Sequence, residues 1–227
     1  MNAFHERLEA LHRDLAAQGA RVLALCTRAV DCFFDLDQEK ARAVLAADDE
    51  VDRVDVELER RSVPLLAMGV TDEHQIRRVL TIVKVNNELE RVADDGVTIA
   101  ERVLEPGSPG GRIPNTFRVM ANSVLGVLRD SVRALERHDP ALARQVLLFD
   151  DTIERFKREI LLNAQEEVAA GRLAAPFAFR LLAVVKALER MADHCTNICE
   201  QVIYLASGLI VRHRPEGWSD PSPPTSS

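Results

Sequence analysis

The sequence predicts an all-α protein: two pseudo-symmetric three-helix bundles with six long helices. Three observations predict it. First, apolar residues recur at steps of three, four and seven, as in Leu8, Leu11, Leu15, Val22, Cys26, Val30 and Phe33. Leu142, Val146, Phe149, Ile153, Phe156 and Ile160 do the same, and that spacing marks one face of a 3.6-residue period. Second, hydrophobic residues are 47% of the 227 but aromatic residues only 4%, so the apolar content is mostly Ala, Leu and Val. Mixed with Glu and Arg, that is a helix-forming vocabulary rather than a strand one. Third, the chain repeats itself. Asp37–Asp52 aligns with Asp139–Glu154 at an offset of 102 residues, and Leu89-Glu-Arg-Val-Ala-Asp94 aligns with Leu188-Glu-Arg-Met-Ala-Asp193 at an offset of 99.

Each copy reads as three helices, over 3–35, 38–68 and 72–105, then 113–137, 140–171 and 175–212. Asp37 and Asp139 are N-cap candidates, because a short carboxylate accepts from the free backbone N–H groups of a first turn. Pro140 follows at the helical position that tolerates proline best. Gly69 and Gly171 are expected stops, and Thr71 a cap for the third helix. Pro106, Gly107, Pro109, Gly110, Gly111 and Pro114 punctuate the middle of the chain. The division is therefore a first bundle over 3–106, a second over 113–213 and a disordered polar tail over 214–227.

Charge narrows the function. The chain carries 29 Lys plus Arg against 36 Asp plus Glu, a formal net charge of −7. That balance disfavours nucleic-acid binding, which needs a basic surface to displace counterions. It also disfavours a polybasic membrane patch. No apolar run approaches the ~20 residues of a membrane span, and the N-terminal stretch lacks the apolar core of a signal peptide. Cys26, Cys32, Cys195 and Cys199 lack metal-finger spacing, and Cys26 and Cys195 fall on apolar stripes. Buried, reduced thiols in a cytoplasmic protein are the expectation.

The candidate site is a set of acidic pairs. Glu90, Asp94 and Glu101 fall within about 40° of one another around a helix, and Glu189, Asp193 and Glu200 repeat the spacing. The preceding helix of each half adds a one-turn pair, Asp48 with Asp52 and Asp150 with Glu154. Like charges at i, i+4 repel, so stacked pairs call for an offsetting cation. Carboxylate oxygens suit hard ions such as Mg, Mn, Ca or Fe. Val83 and Val97 beside Glu90, and Leu182, Val185 and Ile203 beside Glu189, indicate partial burial. Interhelical salt bridges from Arg77, Arg91 or Arg190 are an open alternative. His194 points about 100° away from the stripe. There is no G-x-S-x-G, P-loop, H-E-x-x-H or G-x-G-x-x-G motif, and the lone Glu9-x-x-His12 does not supply the two motifs of a di-iron bundle.

Leu188-Glu-Arg-Met-Ala-Asp-His-Cys-Thr-Asn-Ile-Cys-Glu-Gln-Val-Ile-Tyr-Leu-Ala-Ser-Gly208, followed by Val211-Arg-His213, resembles the signature of the PhoU family, accessory regulators of phosphate-specific transport. Glu88–Asp94 with Ile99-Ala-Glu101 resembles the weaker first copy, and the resemblance spans about residues 3–213. It implies two three-helix bundles and metal ions (Fe, Mn, Mg or Zn) held at Asp48, Asp52, Glu90 and Asp94, then at Asp150, Glu154, Glu189 and Asp193. The sequence departs from the family pattern at Ala93 and Ala192 (usually Gly), at Glu154 (usually Asp) and at Gln75 (usually Asp). The resemblance further implies a non-enzymatic negative regulator of phosphate uptake and phosphate-starvation signalling. Its implied partners are a phosphate ABC transporter ATPase and a sensor histidine kinase. A homodimer that reaches the membrane only through partners completes the expectation. A carboxylate-bridged metalloenzyme, hydrolase or oxidase, and a purely structural helical scaffold are the alternatives.

Overall fold

The computed structural model describes residues 3–69, 72–106 and 113–211, with the side chain of Asp150 left out. Every regular element among them is an α-helix: α1 (Ala3–Asp35), α2 (Gln38–Ala67), α3 (Glu73–Leu104), α4 (Asn115–Arg137), α5 (Pro140–Leu147), α6 (Asp150–Ala169) and α7 (Ala175–Ser207). In the first half α1, α2 and α3 pack on one another, and in the second α5 and α6 lie against α4 and α7. The halves join along α3 and α7, with α1 against α4 beside that seam. The expected tail and the Arg212-His213 ending lie outside the described residues.

Local chemistry sets the helix ends. Asp37 accepts from the N–H groups of Glu39 and Lys40, and Asp139 accepts from those of Ala141 and Leu142. The residue before each cap, Leu36 or His138, holds a left-handed φ of 51°. The following N–H then reaches back to the preceding helix, Asp37 to Cys32 O at 3.0 Å and Asp139 to Ala134 O at 2.9 Å. That is a Schellman-type end, so the same corner is built twice. Gly69 (φ 74°), Gly171 (φ 69°) and Gly208 (φ 73°) hold the same left-handed conformation past the ends of α2, α6 and α7. The third helix is capped by Asp72, whose side chain accepts from Gln75 N, while the expected cap Thr71 lies outside the described residues. The last helix stops at Ser207 rather than 212, because Gly208 turns the chain.

The expected fifth helix over 140–171 is two helices. At Leu148 and Phe149 the bonding tightens, with Phe149 N donating to Val146 O and Thr152 N to Phe149 O, both at 3.0 Å. Ala46, Ala47 and Glu50 occupy the equivalent places in the unbroken α2, where the second half has Leu148, Phe149 and Thr152. Alanine and glutamate favour the helix more than phenylalanine and threonine do. Phe149, expected on the apolar face, is 38% exposed as a result.

One apolar core runs through both halves, and every member of the α1 stripe from Leu8 to Phe33 is buried. Burying one leucine is worth ~2 kcal/mol, several times any helix-propensity difference, so the stripes drive the packing. Two glycines permit close helix crossings. A Cβ on Gly19 would stand 3.0 Å from Val132 Cγ1 across α1 and α4, and one on Gly96 would stand 2.7 Å from Leu25 Cδ2 across α1 and α3. Leu25 is fully packed and Cys26 Sγ lies 3.2 Å from the same point, so neither yields cheaply. Gly96→Ala should therefore cost about 1–3 kcal/mol in denaturant unfolding. An unchanged midpoint would show that α1 and α3 shift apart freely.

Candidate functional site

In the first half α2 and α3 bring their acids side by side. Asp48 and Glu90 are half-buried, and Asp52 and Asp94 are exposed. Burial, then the charges of Asp52, Asp94 and Asp49, push the Asp48 carboxyl up to about 6. Glu90 is raised by burial and by Asp94, Asp55 and Asp52, and Asp94 by burial and Asp52. Asp48 Oδ1 is buried without a hydrogen-bond partner. Among the described residues, none of the four sits in an ion pair. Asp55 extends the set. It accepts from Asn86 Nδ2 at 2.6 Å, and burial, Glu59 and Asp52 raise its carboxyl.

This is a cluster of mutually repelling carboxylates, half out of water, whose repulsion Arg91 near Glu90 and Arg190 and His194 near Asp94 offset only in part. Its donor chemistry fits a hard divalent ion. The side chains as placed do not close around a point: among the described residues, no three or more Asp, Glu, His or Cys groups are gathered as metal ligands. Binding an ion there requires carboxylate rotamers to turn inward. Glu101 lies outside the set, exposed and 3.6 Å from Arg102.

The second half differs in charge. Lys157 Nζ donates to Glu189 Oε1 at 2.7 Å and to Glu154 Oε2 at 3.1 Å, spanning α6 and α7. These two bonds raise the Lys157 ammonium above its ordinary range. Arg158 lies 3.9 Å from the other Glu154 oxygen. Asp150 begins α6, and its side chain lies outside the described residues. Asp193 sits one turn beyond Glu189 on the exposed side of α7. An interhelical salt bridge onto the acidic set exists, but Lys157 makes it rather than one of the three arginines. Arg77 pairs with Glu73 at 2.6 Å and lies over the Tyr204 ring at 5.3 Å from its centroid. Arg190 pairs with Asp95.

The signature residues His194 and Asn197 do not join the acids of their own half. His194 Nδ1 lies 2.8 Å from Glu88 Oε2, and Asn197 Nδ2 donates to the same oxygen at 3.0 Å. Arg190 and Asp95 cross the same seam, with His194 Nε2 3.9 Å from Asp95 Oδ2. Burial opposes the charge on Glu88, and the bonds from His194 and Asn197 overcome it, leaving its carboxyl below the usual range. Asp95 is more deeply buried, and its carboxyl is pushed up to about 6 despite Arg190. Sequence reading did not assign these residues a partner. The available signal was His194 standing opposite Asp95 in the repeat, an imidazole where the other copy has a carboxyl. All four cysteines are free and buried. Burial pushes Cys32 and Cys195 up to about 12 and the other two well above their ordinary range, as expected for packing thiols.

Two outcomes test this geometry. Asp48 binds its proton more tightly folded than unfolded, so its charge opposes folding above pH about 6, and that cost fades as the pH falls toward the ordinary carboxylate range. In chelator-treated protein, Asp48→Asn should raise Tm by about 2–4 °C near neutral pH, taking ~1 kcal/mol after solvent screening. The gain should shrink to nothing as the pH is lowered through about 6 toward 4; a gain independent of pH would show that its charge is not strained. At the seam, Glu88→Gln should cost about 2 kcal/mol. Combined with His194→Gln it should show a coupling of about 1 kcal/mol, whereas additivity within ~0.3 kcal/mol would mean the pair does not interact.

The PhoU domain model matches residues 15–103 and 117–202, once in each half. A phosphate-specific transport system accessory protein PhoU homolog of Pseudomonas putida is 30% identical over 218 residues, covering 92% of this chain and 83% of the relative. The corresponding PhoU homolog 1 of Thermotoga maritima is 29% identical over 207 residues, covering 90% and 89%. Among solved structures, PhoU from Pseudomonas aeruginosa superposes with a TM-score of 0.83 at 26% identity, over 91% of this chain and all of that one. The phosphate transport system regulatory protein PhoU from Streptococcus pneumoniae reaches 0.85 at 24% identity, over 92% and all, a likeness of fold. The two domain matches fall on the two copies of the repeat, and the chain belongs to the PhoU family.

Proposed function

We propose that this chain is a cytoplasmic, non-enzymatic negative regulator of phosphate uptake and phosphate-starvation signalling. It acts as an adaptor between a phosphate ABC transporter ATPase and a sensor histidine kinase. The observation that carries the reading is family membership across both halves, with relatives named as accessory proteins of a phosphate-specific transport system. Two facts of the structure support it. No helix among the described residues is long and apolar enough to cross a membrane, so contact with a transporter runs through protein surfaces. Long helix faces supply those surfaces, and Val56 and Val63 on α2, seven residues apart, are each more than 60% exposed. The reading includes association with a second copy of the chain through such a face.

The adaptor carries a cation site, for Fe, Mn, Mg or Zn, at Asp48, Asp52, Glu90 and Asp94. The first-half carboxylates, which make no ion pair among the described residues, and the orphaned Asp48 oxygen support it. An ion there would relieve their repulsion and brace α2 against α3. Asp150, Glu154, Glu189 and Asp193 are the counterpart set, with Lys157 among them.

Deleting the gene should switch on phosphate-starvation genes in phosphate-replete cells, read from a reporter of that response. Reporter output equal to the parent strain would overturn the regulatory role. Restoration by the wild-type gene but not by one encoding Asp48→Asn and Asp52→Asn would tie the role to the acidic site.

A further inference from the structure

The two copies of the repeat keep one register on either side of the α5–α6 break, and at one place on it they carry opposite charge. The offset of 102 residues holds from the caps Asp37 and Asp139 to the left-handed glycines Gly69 and Gly171, so positions along α2 and α5–α6 correspond one to one. On that register Lys157 stands where the first half has Asp55, and Arg158 where it has Val56. Asp55 adds a carboxylate to the first-half cluster, held by Asn86. Lys157 places an ammonium between the acids of the second half, 2.7 Å from Glu189 and 3.1 Å from Glu154.

We propose that Lys157 is a built-in counter-cation that closes the second-half carboxylate set to metal, so that metal binds in the first half alone. With the first-half carboxylates read as a cation site, as in the proposed function, the repeat has specialised: one copy takes an ion and the other carries its own. An ion held jointly by Glu154 and Glu189 would occupy the space of the ammonium, and two cations that close repel strongly. Swinging Lys157 out would break two charge-assisted hydrogen bonds at once. Glu154 also has Arg158 beside its second oxygen at 3.9 Å, so both of its oxygens already face a cation. In the second half the ammonium does by a covalent tether what a bound ion would do in the first, holding one acidic helix against the other.

The experiment titrates Mn2+ into chelator-treated full-length protein and counts bound ions by native mass spectrometry and electron paramagnetic resonance. The wild type should lose all bound Mn2+ on Asp48→Asn with Asp52→Asn and none on Glu189→Gln. Lys157→Asp, which copies Asp55, should raise bound Mn2+ about twofold, and Lys157→Gln should raise it in the same direction. Circular dichroism melts establish that both variants are folded. An ion lost on Glu189→Gln in the wild type, or folded Lys157 variants that take up no further Mn2+, would overturn the proposal. Wild type that binds none, with Lys157 variants that do, would remove the first-half reading and leave Lys157 as the gate.

Discussion

The seam between α3 and α7 depends on one unfavourable act, the burial of acidic side chains from the first half. Glu88 and Asp95 lie on the face of α3 that meets α7, and a buried carboxylate is costly unless paired and hydrogen-bonded. α7 answers with His194 and Asn197 on Glu88 and Arg190 on Asp95. Apolar packing would tolerate some sliding of two helices. These bonds fix the register, because a shift of one turn would strand both charges. The placement of α2 and α6 about the seam follows, and with it the position of each acidic set.

Repetition gives the molecule two of everything, and the differences between the copies carry the information. The corner before the second helix is the same in each half, down to a left-handed residue followed by a capping aspartate. Charged positions diverge instead. Asp95 faces His194 in the alignment, and Asp55 faces Lys157. The first difference makes the halves complementary across the seam. The second leaves one carboxylate set without an ion pair among the described residues and gives the other its own cation.

Carboxylate strain is shared between Asp95 in the seam and the face where function is proposed. The acids on the outer face of α2 and α3 raise one another, and the half-buried Asp48 bears the most. Such a face is stabilised by whatever positive charge reaches it, so occupancy there couples to how firmly α2 sits on α3. That coupling is a physical route by which the adaptor proposed above would pass a signal to a partner.

The sequence by itself determined the helices, their caps at Asp37 and Asp139, the glycine stops and the duplicated plan. All of these are local: a cap reads two or three residues ahead, and a stripe repeats every three or four. It also showed the acidic pairs, since i, i+4 is a property of one helix. The break at Leu148–Phe149 was missed because stripe periodicity continues through it while the backbone bonding does not. Only the tertiary structure decided what the pairs meet. Lys157 reaches from α6 to Glu189 on α7, and His194 turns to Glu88, 106 positions earlier in the chain. Periodicity along one helix carries no record of such distant partners, because they are chosen by how α3 and α7 register against each other.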